Sequence, residues 1–218
     1  MRRLAGLLAA ISAIAAIAAP AAVAAPANIQ AGVGGLDVFS APPYNHEAGT
    51  VATLTWVGSG THNATASSKG PDGKPLFRSD DIISGSTQVR GTQYIPAGSY
   101  PFSCTIHLGM NSTLDVTSGT PQARPTVTVK LTSTKIAKVV KKKKLAAKVN
   151  LTGSEPATVT AKLGKTKLGT ATASKSGAVT IKLGKKAAGS LAKKQKATVK
   201  LEAVVDFGSP SAASGKLR

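Results

Sequence analysis

The chain has 218 residues and a formal net charge of +19 at pH 7, with one cysteine, three histidines and 4% aromatic residues. A single cysteine excludes a framework of intrachain disulfides, and the length allows one large domain or two small ones.

The first 24 residues have the features of a secretory signal. Two arginines precede an apolar run at residues 4–19, and small residues at 22–24 form an A-x-A cleavage site. We expect cleavage after Ala24. The alternative is an uncleaved anchor, which is disfavoured because the run is short for a membrane span of about 20 residues. The protein is therefore expected to be bacterial and exported, either extracellular or associated with the cell envelope.

Charge divides the rest of the chain into two parts. Residues 25–123 carry four basic and six acidic side chains, whereas residues 124–207 carry 20 basic and three acidic ones. The intervening residues 118–125 are rich in Ser, Gly and Pro, as is typical of a linker. We therefore expect one domain at 25–123, a second at 124–207 and a disordered tail at 208–218.

Alternating apolar and polar residues predict strands in the first domain. In residues 51–57, Ala52, Leu54 and Trp56 share one face and threonines occupy the other. Further strands are predicted at residues 87–95, 99–104 and 112–117. The segment between the last two is then a loop at one end of a β-sandwich, which is a common place for a functional site.

This loop contains Cys104, His107 and Met110 at three-residue spacing. A thiolate, an imidazole and a thioether in this arrangement can converge on one soft metal ion. With a second imidazole they form the His₂Cys set with a weak axial Met of a blue-copper site. His62 is the candidate for that imidazole, and Asn63 beside it is a candidate to brace the two loops.

Each of these residues also has an ordinary structural interpretation. Cys104 can be a buried core residue, Met110 a core gap-filler, and the two histidines plain polar side chains. Their joint occurrence between strands and turns favours the metal site. His46 has no partner at ligand spacing, and we interpret it as a surface-loop histidine.

The same residues argue against an enzyme. Three histidines are too few for multicopper oxidases or copper nitrite reductases, and a saturated four-ligand site leaves no open position for a substrate. The chain also lacks a nucleophile motif such as G-x-S-x-G. We predict no catalytic residues and no small-molecule substrate.

Residues 60–63 (Gly-Thr-His-Asn) and 97–110, which end in C-T-I-H-L-G-M, resemble the plastocyanin/azurin family of cupredoxins. The short C-x-x-H-x-x-M loop is most similar to that of amicyanin and pseudoazurin, and the resemblance covers roughly residues 36–116. It implies a Greek-key β-sandwich, electron exit through His107 and an apolar docking patch near Leu108 and Pro42–Pro43. The copper ligands it implies are His62, Cys104, His107 and Met110, with Asn63 supporting them.

The second domain alternates more regularly, for example at Val127, Val129 and Leu131. Five or six short strands with apolar inner faces and Thr/Lys outer faces predict a small Ig-like β-sandwich, with a helical turn within residues 185–196. The pattern loosely resembles the Lys-rich Ig-like modules of exported actinobacterial proteins. The expected fold class is all-β: a cupredoxin-like Greek-key sandwich followed by a small Ig-like sandwich.

The expected function is that of an exported type 1 copper protein that carries single electrons between redox partner proteins. The alternatives are a copper-binding or copper-delivery protein, and an envelope-binding structural protein without electron transfer. For the lysine-rich half, the expected partner is an anionic cell-envelope polymer or lipid surface, and a passive spacer is the alternative. Nucleic acid is not expected as a partner, because the basic half has a single aromatic residue.

Overall fold

Two hydrophobic cores organise the computed structural model, which describes residues 25–218. One core is formed by buried residues between 27 and 116, and the other by buried residues between 127 and 217. Each core is enclosed by two β-sheets, which confirms the predicted all-β class. The signal predicted at residues 1–24 lies outside the described residues.

The first sandwich consists of a three-stranded and a four-stranded sheet. In the order of their pairing, the three-stranded sheet contains β1 (Asn28–Ala31), β3 (Ala52–Trp56) and β5 (Ser86–Val89). The four-stranded sheet contains β2 (Tyr44–Ala48), β7 (Asn111–Gly119), β6 (Gly98–Ser103) and β4 (Thr65–Ala66). The pairs β1–β3 and β2–β7 are parallel and the others antiparallel.

The predicted alternation is visible in β3, where Ala52 and Leu54 are fully buried and the alternating Thr53 and Thr55 are half-buried. The strand predicted at 87–95 instead ends at Val89. Gly91, with φ +101°, turns the chain into a short 3-10 turn, Thr92–Tyr94, and the Thr92 hydroxyl accepts a hydrogen bond from the Ala52 N–H at 2.9 Å. A side-chain contact with a distant strand therefore ends the element.

The second sandwich again pairs a four-stranded sheet with a three-stranded one, and all its strand pairs are antiparallel. In pairing order, the first sheet contains β11 (Thr166–Ala173), β10 (Ala157–Leu163), β13 (Ala197–Val205) and β14 (Ser211–Leu217). The second contains β12 (Gly177–Lys182), β9 (Lys144–Leu151) and β8 (Val127–Leu131).

Two short helices, α1 (Ile136–Lys142) and α2 (Lys185–Ala192), pack against each other at one end of this sandwich. α2 confirms the helical turn expected within residues 185–196, whereas α1 has no counterpart in the sequence prediction. Within the described part of the chain, neither helix has the length and apolar character to span a membrane.

β14 shows that the prediction of a disordered tail at 208–218 is wrong. The strand pairs with β13 from Ala203↔Ser211 to Ala197↔Leu217, and Leu217 is fully buried. The Arg218 N–H also donates to the Thr134 carbonyl at 2.8 Å. The tail carries small residues on its inward positions before Leu217, so its sequence lacks the apolar periodicity that marks a strand.

The prediction that His46 lies on a surface loop is also wrong. His46 belongs to β2 and is fully buried. Its Nδ1 accepts a hydrogen bond from the Ala27 N–H at 3.1 Å, and its Nε2–H donates to the Thr50 carbonyl at 3.2 Å. Burial lowers the pKa of His46 below its usual value, because the charged ring would lose its hydration. His46 is thus a neutral structural residue.

The apo protein is expected to lose stability as the pH falls below about 6.5, the usual histidine pKa. In that range the unfolded chain binds a proton at His46 while the folded chain, with its lowered pKa, resists it. The contribution of one such group is at most about 1.4 kcal/mol per pH unit. Urea unfolding at pH 7.5 and 5.5 measures the effect, and His46→Gln should reduce the loss. An equal loss in both proteins would contradict a buried neutral His46.

The turn after β13 joins the two sandwiches. Phe207 is almost completely buried between them, with the Arg78 guanidinium 4.4 Å from its ring centroid. The Phe207 N–H donates to Asp72 Oδ2 at 3.0 Å, and its carbonyl accepts from Arg124 Nη1 at 3.0 Å. Asp206 forms ion pairs with Lys74 and Arg78, at 2.6 and 3.0 Å.

This interface lies at the end of the first sandwich that is remote from the Cys104–Met110 loop. β7 begins at Asn111, directly after that loop, and runs nine residues to Gly119, where the connection to the second sandwich begins. At about 3.3 Å per residue the strand separates the two ends by roughly 30 Å.

Candidate metal centre

Three side chains with metal-ligating atoms meet at one end of the first sandwich. The ligand atoms of His62, Cys104 and His107 all lie within 4.8 Å of one another, and the two imidazole centroids are 4.9 Å apart. Cys104 Sγ lies 3.8 Å from His107 Nδ1. A metal ion that bonds sulfur at about 2.3 Å and nitrogen at about 2.0 Å separates such a pair by roughly 3.5–4 Å, so the observed distance suits a shared ion.

The loop that carries His62 is fixed by close backbone packing. A Cβ atom on Gly58 would fall 1.6 Å from the Gly32 carbonyl oxygen, so only glycine permits this approach. Trp56 Nε1–H donates to the Gly60 carbonyl at 2.9 Å, and His62 exchanges two backbone hydrogen bonds of 2.9 Å with Ile82. His62 therefore has a fixed backbone on both sides.

The orientation of the His62 ring is set by one hydrogen bond. Its Nε2 lies 2.6 Å from the Ser59 carbonyl oxygen, which can only accept, so the Nε2 carries the proton. Nδ1 consequently bears a lone pair. This atom is buried and has no hydrogen-bond partner among residues 25–218. An unpaired buried acceptor on a ring whose neighbours are a thiol and a second imidazole is typical of a metal ligand.

The loop that carries the other donors is a tight turn. The Cys104 N–H donates to the Met110 carbonyl at 3.0 Å, and the Met110 N–H donates to the His107 carbonyl at 3.4 Å. Gly109 adopts φ +84°, which reverses the chain before Met110. Cys104 and Met110 are both buried in the first core, whereas Leu108 between them is fully exposed.

Asn63 connects the two loops. Its Oδ1 accepts from the Thr105 N–H at 3.0 Å, and its Nδ2 donates to Thr105 Oγ1 at 2.8 Å and to Asp81 Oδ1 at 2.7 Å. The side chain is buried, so these bonds are shielded from water. Because Asn63 follows His62 and Thr105 follows Cys104, these bonds fix the His62 loop against the Cys104 loop.

Asn63→Ala is expected to weaken Cu(II) binding by about 10–100-fold, the usual effect of removing a residue that orients metal ligands. Titration of the apo protein against a competing chelator measures this change. Asn45, which is exposed on β2, provides the matched control, and Asn45→Ala should leave the affinity unchanged. Equal affinity in Asn63→Ala and the wild type would show that the loops hold their ligands without this bridge.

Two acidic residues lie at this site although no sequence motif identifies them as site residues. Asp37 Oδ1 lies 3.4 Å from His107 Nε2, and Asp81 accepts from Asn63. Asp37 stands 70 positions before His107 in an irregular segment, so only the tertiary fold brings the two together.

Exposed apolar side chains also lie in the loops at this end of the first sandwich: Leu36, Val38, Val57, Ile106 and Leu108.

No protein-family model and no curated protein matches this chain. Several solved structures do. The reduced Cu(I) form of a point mutant of amicyanin at pH 4 is 16% identical, over 42% of this chain and 81% of that one, with a TM-score of 0.33. A purple cupredoxin from Nitrosopumilus maritimus is 27% identical, over 42% of this chain and 99% of that one, with a TM-score of 0.31.

A third similar structure contains the fibronectin(III)-like modules of CbhA from Clostridium thermocellum. It is 13% identical, over 79% of this chain and 87% of that one, with a TM-score of 0.31. The assignment of two successive β-sandwiches stands on the strand pairing of the chain itself.

Proposed function

We propose that this protein is a type 1 copper protein that carries single electrons between redox partners. Two observations support this most strongly: Nδ1 of His62 is buried and unpaired, and a ligand atom of the His62 ring lies within 4.8 Å of the donor atoms of Cys104 and His107. A metal ion bound to that nitrogen would remove the free-energy penalty of a buried acceptor that has no partner.

The donor set suits copper. Thiolate and thioether favour Cu(I), and imidazole accepts both oxidation states, so copper bound here supplies one-electron cycling. His62, Cys104 and His107 would hold the ion, with Met110 as the weak fourth ligand. Neighbouring residues hold these donors in position. The Ser59 carbonyl fixes the orientation of the His62 ring, and the hydrogen bonds of Asn63 fix the Cys104 loop. Fixed donors reduce the rearrangement that accompanies a change of oxidation state.

His107 is the proposed route for the electron. Its ring is only partly buried and its Nε2 edge faces the exposed Asp37, whereas His62 is fully buried. The exposed Ile106 and Leu108 flank it on the same loop. A small apolar rim of this kind suits the brief, low-area encounters of redox proteins.

Asp37→Asn is expected to raise the reduction potential of the copper-loaded protein by about 40 mV. The carboxylate lies beside the ring of His107 and favours the more positive Cu(II) state of an ion that this ring would hold, and an exposed charge interaction of this kind is worth ~1 kcal/mol. Voltammetry measures the shift. Asp115→Asn, which removes a carboxylate from the middle of β7, is the matched control and should move the potential less. A fall in potential in Asp37→Asn would contradict this electrostatic role.

Voltammetry and copper retention together test the proposed function. An electron carrier should give a reversible one-electron wave and should keep its copper through repeated cycles in the presence of a chelator. A copper-delivery protein should instead lose its copper on reduction or to the chelator. That outcome would replace the electron-transfer proposal with the delivery function.

We further propose that the protein works outside the cytoplasm. An exported protein usually pairs its cysteines, and ligation of a metal explains why Cys104 is buried and unpaired. Mass spectrometry of the protein recovered from the exported fraction should show an N-terminus at Ala25. If residues 1–24 remain attached to the recovered protein, the segment acts as an anchor instead.

A further inference from the structure

The second sandwich has two ends of different character. Its near end contacts the first sandwich through the turn at Asp206–Phe207 and through Glu155, which pairs with Arg90 at 3.4 Å. The strands then run away from this contact. α1 and α2 lie at the opposite end, where the Ile136 N–H donates to the Arg218 carbonyl at 2.8 Å. We call this opposite end the distal end, defined as residues 132–144, 183–196 and 216–218.

The distal end is entirely cationic. Its three segments contain 13 Lys and Arg residues and no Asp or Glu, and all 13 are exposed. The three acidic residues of the second sandwich, Glu155, Glu202 and Asp206, lie elsewhere and each is already paired with basic side chains. The positive charge of the distal end is therefore not neutralised within the chain.

A groove crosses this end beside α1. Its volume is about 470 Å³, and four lysines line it: Lys135, Lys138, Lys142 and Lys144. Lys138 and Lys142 are one helical turn apart, so their Cβ atoms are separated by about 5–6 Å. The hydroxyl-bearing residues 132–134 line the same groove. A row of point charges beside hydroxyl groups suits an extended ligand that carries regularly spaced anionic oxygens.

The chemistry of this surface selects among anionic ligands. Residues 124–218 expose no large apolar side chain, so the distal end offers nothing to insert into a bilayer. Their one aromatic residue, Phe207, is buried at the near end, so no ring is available to stack on a base. Lysine acts as a hydrated point charge and binds phosphate without requiring planar, bidentate geometry.

We propose that the groove between residues 132 and 144 binds a linear phosphate-bearing polymer that has no bases, such as a phosphodiester-linked polymer of a cell envelope. Binding there leaves the His107 edge of the candidate metal centre accessible, because the groove and that centre lie at the outer ends of different sandwiches, each roughly 30 Å from the interface between them. The proposal does not depend on copper, since the two sites share no residue.

The test uses the full chain without its first 24 residues and without metal, and long-chain inorganic polyphosphate as the probe. The groove variant replaces Lys135, Lys138, Lys142 and Lys144 with glutamine. The matched control makes the same change of net charge on exposed strand and turn positions of the second sandwich: Lys130, Lys148, Lys167 and Lys175. Circular dichroism establishes that both variants are folded.

The groove variant should lose at least tenfold in affinity for polyphosphate at 0.1 M salt, and its slope of log affinity against log salt should fall by about 3. The control should lose no more than about threefold. An equal loss in both variants would overturn the proposal, because binding would then follow net charge alone. Tighter binding to phosphatidylglycerol vesicles or to an oligothymidine of equal charge would also overturn it, in favour of a membrane or a nucleic acid.

Discussion

Cu(II) is expected to give the wild-type protein an intense visible absorption band, and Cys104→Ala is expected to abolish that band. That absorption arises from charge transfer between a thiolate and copper, and Cys104 is the chain's only cysteine. Cys104 Sγ faces His107 Nδ1 at 3.8 Å, so its loss removes the anionic donor from the centre of the cluster. Cys104→Ser, which preserves the volume of the side chain, should likewise show no such band.

The control for this experiment is His46→Gln, which removes the histidine that lies outside the cluster. His46 bonds to Ala27 and Thr50 and contacts no proposed ligand, so this variant should keep the visible band at pH 7.5. Absence of the band in the wild-type protein would overturn the type 1 copper proposal. A band that survives in Cys104→Ala would mean that the absorption comes from another site.

Phe207→Ala is expected to lower the free energy of unfolding by about 3–5 kcal/mol, the usual cost of truncating a fully buried phenylalanine. The ring fills the space between the sandwiches, below the Arg78 guanidinium and 5.9 Å from the Tyr94 ring centroid. Its loss leaves a cavity at the turn where residues 206 and 207 bind the first sandwich. That turn contacts Asp72, Lys74 and Arg78.

Calorimetry measures this effect. Two linked sandwiches should unfold in one transition in the wild type and in two separate transitions in Phe207→Ala. Lys74→Gln is the control, because it removes an exposed ion pair at the same interface and should cost less than about 1 kcal/mol. Two transitions already present in the wild type would contradict a stabilising interface.

Phe207 also shows a limit of sequence patterns. It has φ +62°, a left-handed conformation that non-glycine residues rarely adopt. Nothing in the neighbouring residues indicates this, because the conformation is maintained by bonds to Asp72 and Arg124, which lie 135 and 83 positions away. Contacts across that separation cannot be read from local composition.

Features that depend on local spacing could be predicted from the amino-acid sequence alone. Alternating side chains predicted β3, and the spacing of Cys104 and His107 predicted a loop that brings a thiol and an imidazole together, since both patterns depend on neighbours within a few residues. The small residues of β14 carried no such pattern, and that strand was missed.

The way in which distant segments meet could not be predicted and is known from the three-dimensional structure. The Ser59 carbonyl occupies Nε2 of His62 and leaves Nδ1 free within the cluster, and Asp37 lies beside His107. The fold also gathers lysines from three separate segments at the distal end. These arrangements depend on which strands pair and which loops pack, and that is determined by the free energy of the whole core rather than by any local stretch of residues.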